Sequence, residues 1–225
     1  MLSMLLAVWA ARTSLFNEMI VGNDADYQRA FEAAQALLQD AELDIRGERA
    51  DGLPCTPDAA KGDICRRTTT DKIPFEAQEV GPLLADLDEQ STKCRNALCT
   101  KRTGKQDFWN NATAAKGITL TQLTVNTVGA RYGQYTGAAV GDSTAPANPI
   151  LADTSAANRG GWYWIEVLPY SDSSKSSGLM VGSGDLLTLN LLPNVVYRIT
   201  ALAYGRKPNT LVVLQQTYAQ QKRKD

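Results

Sequence analysis

Residues 1–46 read MLSMLLAVWAARTSLFNEMIVGNDADYQRAFEAAQALLQDAELDIR. Apolar or small residues recur along this stretch at steps of three, four or seven, which is the spacing of a single stripe on an α-helix. The stripe consists of Leu6, Trp9, Phe16, Ile20, Tyr27, Phe31, Ala34, Leu38, Ala41 and Ile45. At about 1.5 Å per residue a helix of this length extends roughly 69 Å, which exceeds the width of a small domain. We therefore expect part of the helix to project from the domain on which it packs.

The two halves of the predicted helix differ in charge. Residues 1–11 carry no charged side chain, whereas residues 24–46 carry acidic and basic side chains between the stripe positions. We expect the apolar half, residues 1–21, to project and the amphipathic half, residues 24–46, to pack on a globular head. The weak helix formers at positions 22–24, Gly-Asn-Asp, predict a hinge or a melted turn between the halves.

We divide the apolar residues of the helix into two groups according to the contacts that we expect them to make. We expect helix–helix assembly contacts from Leu2, Leu6, Trp9, Phe16 and Ile20. We expect packing on the head from Tyr27, Phe31, Ala34, Leu38, Ala41 and Ile45. The uncharged start of the chain is too short to cross a bilayer, which takes about 20 residues, and it lacks the basic segment that opens a secretory signal. We expect the apolar helix to begin before Met1.

Composition excludes several classes of function. The chain has 23 Lys and Arg against 24 Asp and Glu, so no overall positive field attracts nucleic acid. It has no histidine, which removes the Ser–His and Cys–His nucleophile pairs and the commonest zinc ligand. The sequence therefore predicts a protein that is not an enzyme and that has no cofactor or metal site.

The head, residues 47–225, divides by composition into two regions. Scattered Gly and Pro predict an irregular connecting region at 47–117, with a short helix at 82–90 whose first turn holds the proline. Runs of β-branched and aromatic residues predict a sheet region at 118–225. The predicted strands are residues 118–128, 131–140, 162–168, 195–204 and 210–218. We expect the last two to form a hairpin, and the third, apolar on both faces, to lie in the middle of the sheet.

Two segments of the chain resemble PilX-type minor pilins of type IV pili. The first is GNDADYQRAFEAAQALLQDAE at 22–42. The second comprises YRITA at 197–201, Tyr204-Gly205, and PNTLVVLQQTY at 208–218. The resemblance implies an α+β, pilin-like fold in which a long N-terminal α-helix packs on a four- or five-stranded antiparallel β-sheet.

The resemblance also implies a function. It implies a non-catalytic minor pilin that joins other minor pilins in a tip complex, primes type IV pilus assembly and helps display a tip adhesin. The expected partners are other minor pilins, the major pilin and a PilY-type adhesin. The expected locations are the inner membrane, facing the periplasm, before assembly and the pilus tip at the cell surface afterwards.

The four cysteines, Cys55, Cys65, Cys94 and Cys99, are predicted to form disulfides. An even count, loop-rich surroundings and a pilin-like helix favour an oxidising compartment. The spacing of Cys55 and Cys65 is too wide for a zinc knuckle. Of the three connectivities we favour Cys55 with Cys65 and Cys94 with Cys99, because each closes a small loop. Four free thiols are the alternative.

Two functions of other kinds stay open at this point. A pseudopilin at the tip of a type II secretion pseudopilus would share the long helix, and ordered calcium in its head loops would favour it. A secreted carboxylate-dependent hydrolase would require a deep cleft with two facing carboxylates.

Overall fold

A computed structural model describes the backbone of residues 2–139, 141, 148–169 and 191–221. Its helices are α1 (Leu2–Arg46), α2 (Ala77–Glu89) and α3 (Leu120–Leu123). Its strands are β1 (Cys94–Arg95), β2 (Leu98–Cys99), β3 (Gly161–Pro169), β4 (Leu191–Tyr204) and β5 (Leu211–Gln221). The strands form one sheet in the order β1-β2-β3-β4-β5, and α1 packs across β3, β4 and β5. The predicted α+β, pilin-like class is confirmed.

The sheet is mixed rather than purely antiparallel. Three of its neighbouring pairs are antiparallel, whereas β2 and β3 are parallel, with Leu98 opposite Ile165. The parallel pair is the one joined by a long connection, residues 100–160, which is what returning the chain to the same end of a sheet requires. The predicted hairpin is confirmed as β4 and β5, in which Tyr197 lies opposite Tyr218.

Strand β3 separates two hydrophobic cores, because successive side chains on a strand point to opposite faces. Tyr163, Ile165 and Val167 belong to the core beneath α1. Trp162 and Trp164 belong to a second core on the other face, together with the Cys94–Cys99 disulfide and side chains of the connecting region. The prediction of a central strand buried on both faces is confirmed.

The strands predicted at 118–128 and 131–140 are wrong. The first segment contains α3, in which the N-cap residue Thr119 and Gln122 form a capping box. The second has turns at residues 132–136 and no strand through residue 139, the bridge between Ala130 and Tyr163 lies just before it, and residue 140 lies outside the described residues. Although this stretch has β propensity, tertiary contacts override it, and the residues near α3 cover the second core instead.

Two strands lie in the region predicted to be irregular. Both β1 and β2 fall within residues 47–117, and they are only two residues long because the Cys94–Cys99 disulfide closes a tight turn between them. Pairs this short carry no period-two pattern that a sequence could show.

Helix α2 begins earlier than predicted. A capping box between Glu76 and Glu79 starts the helix at Ala77, so Pro82 lies inside it rather than in its first turn. The proline removes one backbone donor from the helix, and the buried side chains of Val80, Leu83 and Leu87 hold α2 against the head.

Helix α1 is continuous through positions 22–24, so the predicted hinge is wrong. Low helix propensity here is offset by contacts to the head. Lys207 Nζ donates a hydrogen bond of 2.9 Å to Asn23 Oδ1, and Asp26 is bound one turn further on. The helix propensity of these residues costs up to about 1 kcal/mol each relative to Ala, and such contacts offset this cost.

Candidate assembly interface and its anchor

The first half of α1 exposes several large apolar side chains between Met4 and Val21. Each is between 61% and 75% exposed: Met4, Trp9, Leu15, Phe16, Met19, Ile20 and Val21. Exposed apolar surface on this scale marks an interaction site. In the described part of the chain, no helix has an apolar stretch of the length and hydropathy needed to cross a membrane.

The predicted assembly residues lie within this surface where the structure describes them. Trp9, Phe16 and Ile20 are exposed on one side of the helix. Leu2 and Leu6 lie outside the residues whose side chains the structure describes. Leu15 and Met19, which are not on the predicted stripe, are equally exposed, so the apolar surface extends around more of the helix than the stripe.

The second half of α1 docks on the sheet through a face rotated by about one residue from the predicted stripe. Its buried residues are Asp26, Ala30, Ala33, Ala34, Leu37, Leu38, Asp40, Ala41, Asp44 and Ile45. Of the predicted packing residues, Ala34, Leu38, Ala41 and Ile45 are buried, and Phe31 is half-buried against the core. Tyr27 is 48% exposed and does not pack as predicted.

Small side chains explain this rotation. The alanines at 30, 33 and 34 let the helix approach the sheet closely, and Leu37 reaches over Gly161 in β3. A Cβ at Gly161 would overlap Leu37 Cδ1. The face that fits the sheet is therefore the one with the least volume, while the bulkier Tyr27 and Phe31 lie to its side.

Asp26 fixes α1 to the loop between β4 and β5. Its carboxylate accepts hydrogen bonds from the backbone N–H groups of Arg206 at 2.9 Å and Lys207 at 3.0 Å. Gly205 has no room for a side chain, since a Cβ would overlap Asp26 Oδ2. Burial opposes ionisation, but the backbone donors of Lys207 and Arg206 outweigh it and lower the pKa of Asp26. The loop thus holds an ionised carboxylate where α1 leaves the head.

Asp40 fixes the middle of the docked half to the turn at residues 133–136. Its Oδ2 accepts the Gly133 N–H at 2.7 Å, and its Oδ1 accepts the Thr136 hydroxyl. Burial raises the pKa of Asp40 to about 6, although the bonds from Thr136 and Gly133 oppose the rise, and the nearby Asp44 adds to it. Asp40 is therefore the buried carboxyl of this face that titrates near neutral pH.

Asp44 fixes the end of the helix through a buried ion pair. Arg66 donates to it from Nε at 2.8 Å and from Nη2 at 2.5 Å, and the Tyr163 hydroxyl donates at 3.2 Å. Arg66 also donates to the Asn96 carbonyl at 2.9 Å. Burial disfavours the Arg66 cation, but attraction to Asp44 outweighs this and raises its pKa. Two N–H groups of the Arg66 guanidinium thus bond to the two oxygens of the Asp44 carboxylate, so each buried charge has a counter-charge.

The Cys55–Cys65 disulfide holds the segment that carries Arg66. Its Cα atoms are 5.3 Å apart, and the Cys65 N–H donates to the Tyr135 carbonyl at 2.8 Å. Cys65 and Arg66 both adopt positive φ, at 61° and 52°, a conformation that needs tertiary support in non-glycine residues. With the Cys94–Cys99 bond, this confirms the predicted local pairing.

A family model described as Type IV pilus assembly protein PilX C-term matches residues 95–220, more than half of the chain. The chain belongs to the PilX family. The match begins in β1 and ends in β5, so it covers nearly the whole sheet but neither α1 nor α2, which supply the other side of the core beneath α1. No curated protein and no solved structure matches the chain. This PilX-family pilin is a structural component of type IV pilus assembly, as the resemblance predicted.

The sequence reasoning missed the three buried carboxylates of this PilX-family helix. Asp26, Asp40 and Asp44 were expected between the stripe positions, on the polar side. Their spacings of 14 and 4 residues place them on one face of a helix, and this was the available signal. Arg29 lies at helix spacing from Asp26, but Asp40 and Asp44 have no basic residue three or four positions away, which indicates partners elsewhere in the fold for those two.

Proposed function

We propose that this PilX-family chain is a minor pilin that joins other minor pilins in a tip complex, primes type IV pilus assembly and helps display a PilY-type adhesin. It acts first in the inner membrane, facing the periplasm, and later at the pilus tip. The observation that carries the proposal is the exposure of the large apolar side chains along the first half of α1.

A surface of exposed apolar side chains is favourable only when other apolar groups bury it. Apolar surface in water costs about 25 cal/mol per Å², so each large side chain on this half represents roughly 1.5–3 kcal/mol that burial would recover. Lipid can cover it before assembly, and the apolar helices of other pilins can cover it in a fibre. Packing of several such helices side by side builds a fibre core that excludes water.

The anchor matters for assembly because a pilin helix must present its head in a defined orientation. The Asp26, Asp40 and Asp44 contacts tie α1 to three separate segments of the head. Hydrogen bonds are directional, so together they set both the rotation and the height of the helix on the sheet. When the exposed half of α1 packs against neighbouring pilins, the orientation of the head relative to them is then fixed as well.

Deletion of the gene tests the priming role. We expect fewer pili on the cell while the major pilin stays abundant in the membrane, because initiation is the step that fails. Removing the retraction motor in the same strain should restore some surface pili, since retraction competes with initiation. A deletion strain with normal numbers of pili and normal adhesin at the tip would reject the proposal.

A matched pair of helix variants tests the assembly surface. Phe16→Asp and Leu15→Asp change neighbouring, similarly exposed residues, but only Phe16 belongs to the predicted stripe. The two positions point about 100° apart on the helix. We expect Phe16→Asp to reduce recovery of other minor pilins in a pull-down much more than Leu15→Asp does. Equal losses would reject the stripe as the contact surface.

A further inference from the structure

A cavity of about 260 Å³ lies by the second core, on the face of the sheet opposite α1. Four basic residues line it, Lys93, Arg102, Lys105 and Lys116, and no acidic residue does within the described part of the chain. Lys93 is paired with Asp88 at 3.1 Å. The cavity therefore carries a concentration of positive charge on a protein whose net charge is only -1.

Arg102 is the unusual member of this cluster because it is only 9% exposed. Its Nη1 and Nη2 atoms are buried and have no hydrogen-bond partner among the described residues. Its guanidinium lies 3.9 Å from the centre of the Phe108 ring, which offers attraction but no acceptor for the N–H groups. A buried cation without acceptors is costly, and it is expected to have a counter-ion.

The carboxylate of Glu166, which attracts Arg102, is already paired with another arginine. Glu166 accepts the backbone N–H of Arg102 at 2.8 Å, but its charge is held by Arg198, through Nε at 2.7 Å and Nη2 at 2.8 Å. Burial lowers the pKa of Arg102, and Arg198 lowers it further while Glu166 opposes the change. Among the described residues, the two arginines therefore share the carboxylate of Glu166, which leaves one positive charge without a counter-charge.

The walls of the cavity are held by side-chain hydrogen bonds. The Asn111 amide donates to the carbonyls of Gly117 and Ile118, each at 3.0 Å. The Gln106 amide donates to the carbonyls of Arg102 and Gly104, each at 3.1 Å. The backbone segments that carry Arg102, Lys105 and Lys116 are therefore held in place, which reduces the entropy that a ligand would have to overcome on binding.

We propose that this cavity binds a doubly charged oxyanion, either as free sulfate or phosphate or as the phosphate group of a small monoester. The positive charge of Arg102 lies in the wall of the cavity, and Lys105 and Lys116 place exposed ammonium groups around the opening that can bind the oxygens of such a group. The volume lies just below the usual range for drug-sized ligands, so it suits a small one. The cavity faces away from α1, and the inference does not depend on the role in pilus assembly.

The test measures the melting temperature of the full chain in a non-ionic detergent. Sodium sulfate, sodium phosphate and glycerol 2-phosphate are each compared with sodium chloride at equal ionic strength. We expect a saturable rise of about 5 to 10 °C at a hundredfold excess over Kd. Tighter binding of glycerol 2-phosphate than of inorganic phosphate would identify an ester as the ligand, and equal binding would identify the free ion. A rise no larger than that in chloride overturns the proposal.

Two double variants of equal charge separate the cavity from the general surface. We expect Lys105→Gln with Lys116→Gln to weaken sulfate binding at least tenfold. Lys61→Gln with Lys101→Gln removes two exposed lysines outside the cavity and should leave binding unchanged. Equal sulfate affinities for the two double variants would overturn the proposal.

Arg102→Met gives an independent measurement. It removes the unmatched buried cation while keeping an apolar side chain against Phe108, so the melting temperature in chloride should stay the same or rise. The sulfate response should disappear. An Arg102→Met protein that keeps the full sulfate response contradicts the site. If this variant does not fold, the two lysine double variants decide the matter.

Discussion

The two halves of α1 differ in their surroundings and in their side chains. The half that docks on the head uses alanines, Leu37, Leu38, Ile45 and three buried carboxylates, whereas the half that the head leaves uncovered carries Trp9, Phe16 and other large apolar side chains. The most hydrophobic part of the helix is thus not the part that packs in its own fold. Docking relies on close approach and directional hydrogen bonds, and the large apolar side chains stay available for contacts with other molecules.

This difference has a physical consequence for how each half responds to mutation. Apolar contacts are non-directional, so an apolar surface can accept neighbours in several arrangements. Hydrogen bonds to buried carboxylates accept only one geometry. The docked half should therefore be sensitive to single substitutions in the isolated protein, while the exposed half should be sensitive only in the assembled one.

Leu37→Asp should give the largest effect. Leu37 is fully buried over Gly161, so a carboxylate there would lose apolar contacts and lack a partner. We expect a loss of about 4 kcal/mol or more in the free energy of unfolding. Leu15→Asp, the control in the exposed half, should melt with the parent in circular dichroism. A folded Leu37→Asp protein with the parent melting temperature would contradict the docking described here.

Asp44→Asn should have the next largest effect. It leaves the buried Arg66 cation without a counter-charge, which costs about 3 to 5 kcal/mol. Glu18→Gln, which removes an exposed carboxylate from the other half of the same helix, should change stability little. Denaturant unfolding of both variants measures the difference. Equal small losses would show that the ion pair does not anchor the helix.

Asp40→Asn should change the dependence of stability on pH. The folded pKa of about 6 lies above the unfolded value, so Asp40 contributes stability below about pH 4 that is lost as pH rises through 6. Asparagine can mimic the protonated carboxyl, because its oxygen can accept from Gly133 and its amide can donate to Thr136. At pH 7 we expect a gain of up to roughly 3 kcal/mol over the parent, and little gain at pH 4.

The control for this prediction is Asp24→Asn, which removes an exposed carboxylate of the same helix. Its unfolding curve should follow the parent at both pH values. If Asp40→Asn shows the same difference from the parent at pH 4 and at pH 7, the titration of Asp40 is not the cause.

Loss of the disulfides should have a smaller effect. Opening Cys55–Cys65 should cost about 3 kcal/mol and opening Cys94–Cys99 about 2 kcal/mol, because the second closes the shorter loop. The first loss should also weaken the docked half of α1 by releasing Arg66. In protein from the periplasm, we expect no alkylation without a reductant and the two local pairs in a peptide map. Four alkylated thiols in unreduced protein would contradict this.

Deletion of residues 1–23 should have the smallest effect on the head. It removes the uncovered apolar half and, from the head contacts, the bond between Asn23 and Lys207. We propose that residues 24–225 then form a folded, soluble unit with a melting temperature close to that of the full chain. Aggregation or loss of folded structure on truncation would show that the two halves of α1 are not separable.

Much of the fold could be predicted from local patterns. The period of the stripe predicted one helix ending near Arg46, and the β-branched runs on either side of a glycine-containing loop predicted the hairpin of β4 and β5. The short spacings of the cysteines predicted their pairing. Each of these features depends on residues that are close in sequence, so the pattern carries the information.

The missed features depend on residues that are far apart. Residues 118–128 have β propensity, but they lie over the second core and form turns and α3 instead. The partners of Asp40 are more than 90 positions away in the chain, and those of Asp26 are 180 or more away. A sequence shows that a carboxylate is present on a helix but not which distant donor will reach it.

The sequence by itself determined the long helix, its division into an apolar and an amphipathic half, the hairpin and the disulfides, because periodicity and short loops encode them. Only the tertiary structure decided which face of α1 docks, that the helix is continuous through positions 22–24, and that Arg102 Nη1 and Nη2 have no acceptor among the described residues. The reason is that packing volume and hydrogen-bond partners are properties of neighbours in space. The alanines give no strong signal in the sequence pattern, but they form the contact face of α1 because the sheet packs against them.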